Sequence, residues 1–221
     1  GTKLSPPPDD LPAWNSLTDE QRDELDLRMA IYAAQVHELD QGVGKIVKAL
    51  KETGRFENTL ILFLSDNGGA NAGGPLGGGK RELLGGPNAE LQSTYGAGWA
   101  NVSNTPFRRF KSNTHEGGTR APLILHWPAK FGTEARIHHE PAHIIDLTPT
   151  CVDAAGVGRQ GLRATFSLGQ LEGQSLLNGL TSIAESNGER AFFYEHLGSR
   201  AVRKGHWKLV NGDKSGPWEL Y

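Results

Sequence analysis

The spacing of apolar and polar positions divides the chain into three textures. Apolar residues recur every three or four positions through Leu25, Met29, Tyr32, Val36, Leu39, Val43, Ile46, Val47 and Leu50. One stripe at that spacing predicts a single long amphipathic helix. Thr18 precedes it and Gln21 follows three residues later, the spacing of a capping box. Gly54 lies where the helix should stop. Gly42 and Gly44 weaken its middle and predict a bend there. Upstream, GTKLSPPPDDLPAWN has no period and predicts an extended, proline-rich entry.

The second texture contains two short, continuous apolar runs, NTLILFLS at 58–65 and APLILHWP at 121–128. Such runs between turn residues predict strands buried on both faces of a parallel sheet. After the first run, residues 68–86 hold nine glycines in nineteen positions and predict a loop. DLTPTCVDAAG at 146–156 predicts a short helix capped by Asp146 and ended by Gly156. Cys151 then falls at an apolar position of that helix and is expected to be a small buried residue. Together these elements predict an α/β layered domain over residues 1–157. From residue 158 the texture shifts to short alternating segments, RAFFYEHL, SRAVRKGHWKLV and PWELY, separated by glycines. They predict a small antiparallel sheet over 158–221 that stops at Tyr221 without a finishing element.

Composition narrows the function classes. The 221 residues carry a net charge of −2 with 22% charged residues, which argues against a general nucleic-acid binder. No apolar run approaches the roughly eighteen residues a membrane span needs. A single cysteine excludes an internal disulfide. The chain opens at Gly1 with no signal-peptide pattern, so the expectation is a piece of a longer protein or one trimmed upstream.

Two motif matches fail on physical grounds. HEPAH at 139–143 fits H-E-x-x-H, which works only when both histidines share one face of a continuous helix. Pro141 lies between them, and proline inside a helix costs about 3 kcal/mol. A loop leading into the 146–156 helix is expected instead. GPLGGGK at 74–80 fits G-x-x-x-x-G-K, but Arg81 stands where a phosphate loop needs Ser or Thr, and Gly85-Gly86-Pro87 stops any following helix. Asn101-Val102-Ser103 fits a glycosylation sequon, a weak signal without evidence of secretion.

Two clusters carry candidate chemistry. LFLSDNGG at 62–69 puts Asp66 and Asn67 just past the end of an apolar strand, where α/β sheets bind ligands. A carboxylate and an amide carbonyl are hard oxygen donors suited to calcium or magnesium. A plain Asp-Asn-Gly turn accounts for the same residues equally well. PFRRFKSNTHEGGTRAP at 106–122 gathers four cations, a histidine and a Gly-Gly turn ahead of a strand. Such a loop can receive an anion, or it can be a solvated basic loop.

Taken together, these clusters resemble the sulfatase family. SDNGG at 65–69 resembles its second metal motif, and YGAGWANVSNTPFRRFKSNTHEGG at 95–118 the segment that delivers its sulfate-binding lysine. HIIDLTPTCVDAAGV at 143–157, EGQSLL at 172–177 and YEHLGSRAVRKGHWKLV at 194–210 match arylsulfatases of bacterial type in the same order. The resemblance implies part of an alkaline-phosphatase-like α/β sandwich with a small C-terminal antiparallel sheet. It implies that Asp66 and Asn67 are metal ligands, with calcium ahead of magnesium. It implies that Lys111 contacts sulfate oxygens, with His115 beside it as a second catalytic candidate. Glu116, Gly117 and Gly118 would shape the turn, while Trp99, Asn101 and Arg108 could line a pocket.

The family's nucleophile, a formylglycine made from Cys or Ser in a C-x-P-S-R-type motif, is absent from this sequence; Val152-Asp153-Ala154 after Cys151 excludes that residue. The resemblance is therefore to the C-terminal half of a sulfatase. The implied substrate is a small-molecule or carbohydrate sulfate ester, with export to the periplasm or medium expected ahead of the cytoplasm. Competing readings are a phosphodiesterase or phosphonate hydrolase of the same superfamily, and a non-catalytic truncated relative.

Overall fold

The computed structural model describes residues 8, 10–89, 93–157, 172–177, 190–213 and 215–221. Most of the expected proline-rich entry and the predicted domain boundary at 157/158 touch residues outside this set.

Helix α1 spans Asp19–Glu52. Its start is the capping box expected from sequence: Gln21 N–H donates to Thr18 Oγ1, and Thr18 N–H donates to the Gln21 side chain. Gly54 follows the helix end in the left-handed region, φ 67°. Helix α1 runs unbroken through Gly42 and Gly44, where the sequence predicted a bend. Nothing lies within 4 Å of a Cβ placed at either glycine, so they sit in open space.

The N-terminal half of α1 supports the rest of the fold. Leu25 is buried, and the Trp99 indole N–H donates to its carbonyl at 2.9 Å. Arg28 is 4% exposed and spends its guanidinium on the carbonyls of Gly78, Gly79 and Thr94 and on Glu24. Five fixed donors in one plane can satisfy several carbonyls of an irregular loop at once. This is how a loop so rich in glycine is held. Further along, the apolar stripe is in solvent among the described residues: Val36, Leu39 and Ile46 are 46–61% exposed.

Strand β1, Ile61–Leu64, leads into the glycine-rich loop, and helix α2, Gly96–Ser103, follows it. The core comprises Tyr95, Ala97, Ala100 and Phe110, with Leu11, Met29 and Trp99 packed against it. After a single helical turn, α3 at Glu116–Thr119, strand β2 covers Leu123–His126. The two strands pair antiparallel, Ile61 opposite His126 and Leu64 opposite Leu123. This corrects the expectation of parallel strands buried on both faces. Phe63 and Ile124 face each other in register and are 42% and 60% exposed. A continuous apolar run tells that a strand forms but not which way its neighbour runs.

A second short turn, α4 at Pro128–Phe131, leads to an irregular stretch that includes HEPAH. Helix α5, Leu147–Ala154, follows. Asp146 stands at its N-cap position, yet its side chain makes no capping bond. It is fully buried and accepts from His143 N–H, Gln174 N–H and both terminal nitrogens of Arg190. Thr150, also buried, receives Leu176 N–H at 2.9 Å. Asp146 and Thr150 thus secure residues 172–177 through Gln174 and Leu176. Cys151 is exposed, correcting the expectation that it is buried.

The C-terminal sheet is antiparallel in the order β3-β4-β5-β6, with β3 at Ala191–His196, β4 at Ser199–Lys204, β5 at Trp207–Asn211 and β6 at Glu219–Leu220. The alternation read from the sequence is present: Ala201 and Val210 pair across β4 and β5 and are buried, while Phe193 on the opposite face is 75% exposed.

Asp146 yields a stability prediction. Removing one partner of a buried ion pair leaves the other uncompensated, at about 3–5 kcal/mol. Asp146→Ala is expected to lower unfolding free energy by about 3 kcal/mol in urea titration. A change below about 1 kcal/mol would mean the carboxylate is not what joins the start of α5 to Gln174 and Arg190.

Candidate active site

Asp66 and Asn67 emerge at the C-terminal end of β1, the first exposed and the second half-buried. Two glycines then bring the chain against another loop. Gly68 N–H donates to the Gly118 carbonyl at 3.1 Å, and Gly69 N–H to Asn104 Oδ1 at 3.0 Å. A Cβ on Gly68 would fall 1.7 Å from the Gly117 carbonyl oxygen, and one on Gly117 would fall 2.0 Å from the Arg109 carbonyl oxygen. No side chain fits at either position.

The Lys111 loop is fastened to the same place. Lys111 N–H donates to the Gly69 carbonyl at 3.0 Å, Asn104 Nδ2 donates to the Arg109 carbonyl, and Gly117 N–H closes the loop base on Arg108. Arg109 and Ser112, flanking Lys111, hold φ of 68° and 69°, a conformation uncommon for residues with side chains. The structure therefore joins the Asp66-Asn67 loop and the Lys111 loop through main-chain hydrogen bonds. Lys111 is exposed, and the side chains of Asp66, Asn67 and Lys111 have no hydrogen-bond or ion-pair partner among the described residues. Two unengaged hard oxygens at a strand end suit a divalent cation. They do not complete one: among the described residues no group of three or more His, Cys, Asp or Glu side chains is placed to hold a metal.

His115 lies elsewhere. It is 4% exposed, its Nε2 meets Glu219 Oε2 at 2.8 Å, and its Nδ1 faces the Asn113 side chain. Burial pushes the imidazole below its usual range, and the Glu219 hydrogen bond pulls partly the other way. With both ring nitrogens engaged, His115 joins the loop to the C-terminal sheet. Arg108, a pocket candidate in the sequence, points the same way and pairs with Glu219 at 2.7 Å. Trp99 packs against the core.

Glu116 does more than shape a turn. It accepts from Lys208 Nζ at 2.7 Å and pairs with Arg203 at 3.3 Å. Lys208 is 3% exposed and also donates to Thr119. Burial lowers its pKa, opposed by the Glu116 hydrogen bond. Thr114 and Ser199, both buried, share hydroxyls at 2.8 Å. Asn104, Ser199, Lys208 and Glu219 escaped the sequence reading, because no local pattern announces a polar pair between distant segments.

The family model described as Sulfatase matches residues 7–157, well over half of the chain. The chain belongs to the sulfatase family. It is 29% identical over 95% of its length to an uncharacterised sulfatase of Schizosaccharomyces pombe, covering 40% of that protein. It is 30% identical over 65% of its length to the arylsulfatase of Klebsiella aerogenes, covering 33% of it. It is 32% identical over 63% of its length to human N-acetylgalactosamine-6-sulfatase, covering 22%. Among solved structures, the crystal structure of Ps i-CgsB in complex with k-i-k-neocarrahexaose superposes over 94% of this chain and 38% of that one, with TM-score 0.59 and 26% identity. This sulfatase chain thus spans 22–40% of these relatives. The partial α/β fold followed by a four-stranded antiparallel sheet agrees with the expected architecture.

Two measurements check this geometry. Gly68→Ala is expected to destabilise the protein by about 1–3 kcal/mol in thermal unfolding, because its Cβ meets main chain that cannot move aside; an unchanged midpoint would contradict the close approach. Glu219 has its carboxyl lowered to about 2, by Arg108 first, then His115 and Tyr221. A depressed acid stabilises the fold fully above its unfolded value, near 4.5, and that contribution disappears as pH falls towards 2. Carboxyl-carbon NMR should place its midpoint well below 4.5; a midpoint at 4.5 would mean the Arg108 contact does not form.

Proposed function

We propose that the protein containing this chain hydrolyses sulfate esters, with Lys111 binding a sulfate oxygen and with Asp66 and Asn67 among the ligands of a divalent cation, calcium ahead of magnesium. The observation that supports this most directly is the main-chain bond from Lys111 to Gly69, three residues past Asp66. It ties the main chain of Lys111 to the loop that carries Asp66 and Asn67. Family membership supplies the reaction class.

Each group then has a chemical task. The ammonium of Lys111 provides up to three N–H donors, which suit an anionic ester whose charge redistributes during transfer. Asp66 contributes charge and an oxygen ligand, and Asn67 a neutral carbonyl ligand. A cation bound there would supply Lewis-acid stabilisation worth several kcal/mol. The nucleophile, a formylglycine by family resemblance, lies outside this chain. Two protein oxygens out of the six to eight calcium takes leave most positions to water or to other segments. The chain by itself is therefore expected to be inactive. We also take residues 1–157 as part of the catalytic domain and 158–221 as a separate small sheet, consistent with the family match ending at residue 157.

Carbohydrate sulfates are the preferred substrate class. A relative named N-acetylgalactosamine-6-sulfatase and a neighbour crystallised with k-i-k-neocarrahexaose both point to sugars. The deciding experiment assays the full-length protein on sulfated oligosaccharides and p-nitrophenyl sulfate, with the matching phosphate esters in parallel. Turnover of sulfate but not phosphate is expected. Lys111→Ala should lower kcat/KM by about a hundredfold or more, and Asp66→Ala should abolish calcium-dependent activity. Full turnover by the Lys111 variant, or faster phosphate than sulfate hydrolysis, would overturn the assignment.

A further inference from the structure

Lys111 is exposed and no described side chain holds its ammonium, so its placement depends on the loop that carries it. That loop begins at Arg108 and ends at Gly117, whose N–H closes on the Arg108 carbonyl at 2.9 Å. Among the side chains that leave it for the C-terminal sheet are Arg108, three residues before Lys111, and His115, four after. Both end on one carboxylate. Arg108 Nη1 donates to Glu219 Oε1 at 2.9 Å and to Oε2 at 2.7 Å, and His115 Nε2 meets Oε2 at 2.8 Å. Tyr221 Oη donates to the same oxygen at 2.7 Å.

From this convergence we infer that Glu219 is a positioning residue for Lys111, a role that rests on the sulfate-binding reading of Lys111. Glu219 joins the two sides of the Lys111 loop at a point outside it. Arg109 and Ser112 keep uncommon backbone conformations within the same loop. Such conformations persist where surrounding contacts over-determine them. The shared carboxylate supplies two of those contacts, one of them a charge-assisted bond from arginine. Its partners on the facing segment are Arg108 and His115. The remaining links, Thr114 with Ser199 and Glu116 with Lys208, lie towards the C-terminal side of the loop, and the Arg108 side is held by Glu219 and by the Tyr221 hydroxyl that Glu219 itself accepts from. Glu219 touches no reacting atom and acts through the main chain on which Lys111 sits.

The test uses the full-length protein and a double-mutant cycle on p-nitrophenyl sulfate. Glu219→Gln keeps the shape but removes the charge that holds Arg108. Its kcat is expected to fall about tenfold or more, since small misplacement of a catalytic group has large rate effects, while KM stays within about threefold. In the Lys111→Ala background the same change should have no further effect, because the group it positions is gone. Glu219→Asp, which retains the charge, should recover part of the loss. Unchanged kcat in Glu219→Gln, or losses that multiply in the double variant, would overturn the inference.

Amide hydrogen exchange gives an arm independent of turnover. Glu219→Gln should speed exchange over residues 108–118 and leave α1 and β1 unchanged. Should the wild-type protein hydrolyse no sulfate ester, the sulfatase reading fails and the exchange result alone judges the Glu219 contact. No acceleration over 108–118 overturns that contact; acceleration everywhere assigns Glu219 to general stability and overturns it as well.

Discussion

Two stretches of main chain meet at Gly68 and Gly117 with no room for a Cβ between them, and the candidate site is arranged around that contact. At this meeting point the segments come so close that a Cβ on either glycine would fall on the other loop or on its own loop's main chain, so glycine is required at both. Once the two loops touch, Asn104, just past the end of α2, satisfies both, accepting from Gly69 N–H and donating to the Arg109 carbonyl. The core beneath follows, because α2 supplies Ala97 and Ala100 and the second loop supplies Phe110. Apolar burial, main-chain pairing and the placement of Lys111 all follow from the same close approach.

The C-terminal sheet acts on this arrangement through polar contacts. Arg108, Thr114, His115, Glu116 and Thr119 each bond to it, and Lys208 and Ser199 are buried in doing so. Buried polar groups are tolerated only when paired, and pairing restricts the geometry more tightly than apolar contact does. An apolar interface would let the loop slide over the sheet; these directional bonds set its register.

Much of the scaffold was legible in the sequence because it rests on local rules. Thr18 and Gln21 mark the start of α1, the alternation after residue 190 marks an antiparallel sheet, though its middle segment proves to be two strands, and Pro141 excludes a helical HEPAH. Other features depend on partners far along the chain and have no local signature. The apolar run at β1 could not reveal its antiparallel neighbour. Asp146 has the sequence context of a helix cap, yet Arg190 and residues 172–177 claim its oxygens. His115 sits in a motif that suggested chemistry, while its partner Glu219 lies 104 residues away. For Asp66 and Asn67, residue pattern left a metal site and a simple turn equally open, and for the Lys111 segment it favoured a solvated basic loop over an anion site. Family resemblance brought them together, and the main-chain bond between Lys111 and Gly69 supplies a physical link.

The antiparallel register of β1 and β2 has a wider consequence. Leu64 and Leu123 are direct partners, so residues 65–122 leave the sheet and return to it at a single rung. Everything between, including the DNGG turn, the glycine-rich loop, α2 and the Lys111 loop, forms one closed excursion with its two ends side by side. The entropy of closing such an excursion grows only with the logarithm of its length. Its outer parts can therefore lengthen, shorten or exchange at little cost to the strands, provided the inner contact of Gly68 with Gly117 is kept. A single scaffold can in this way present different loop surfaces while holding fixed the corner where its two loops meet.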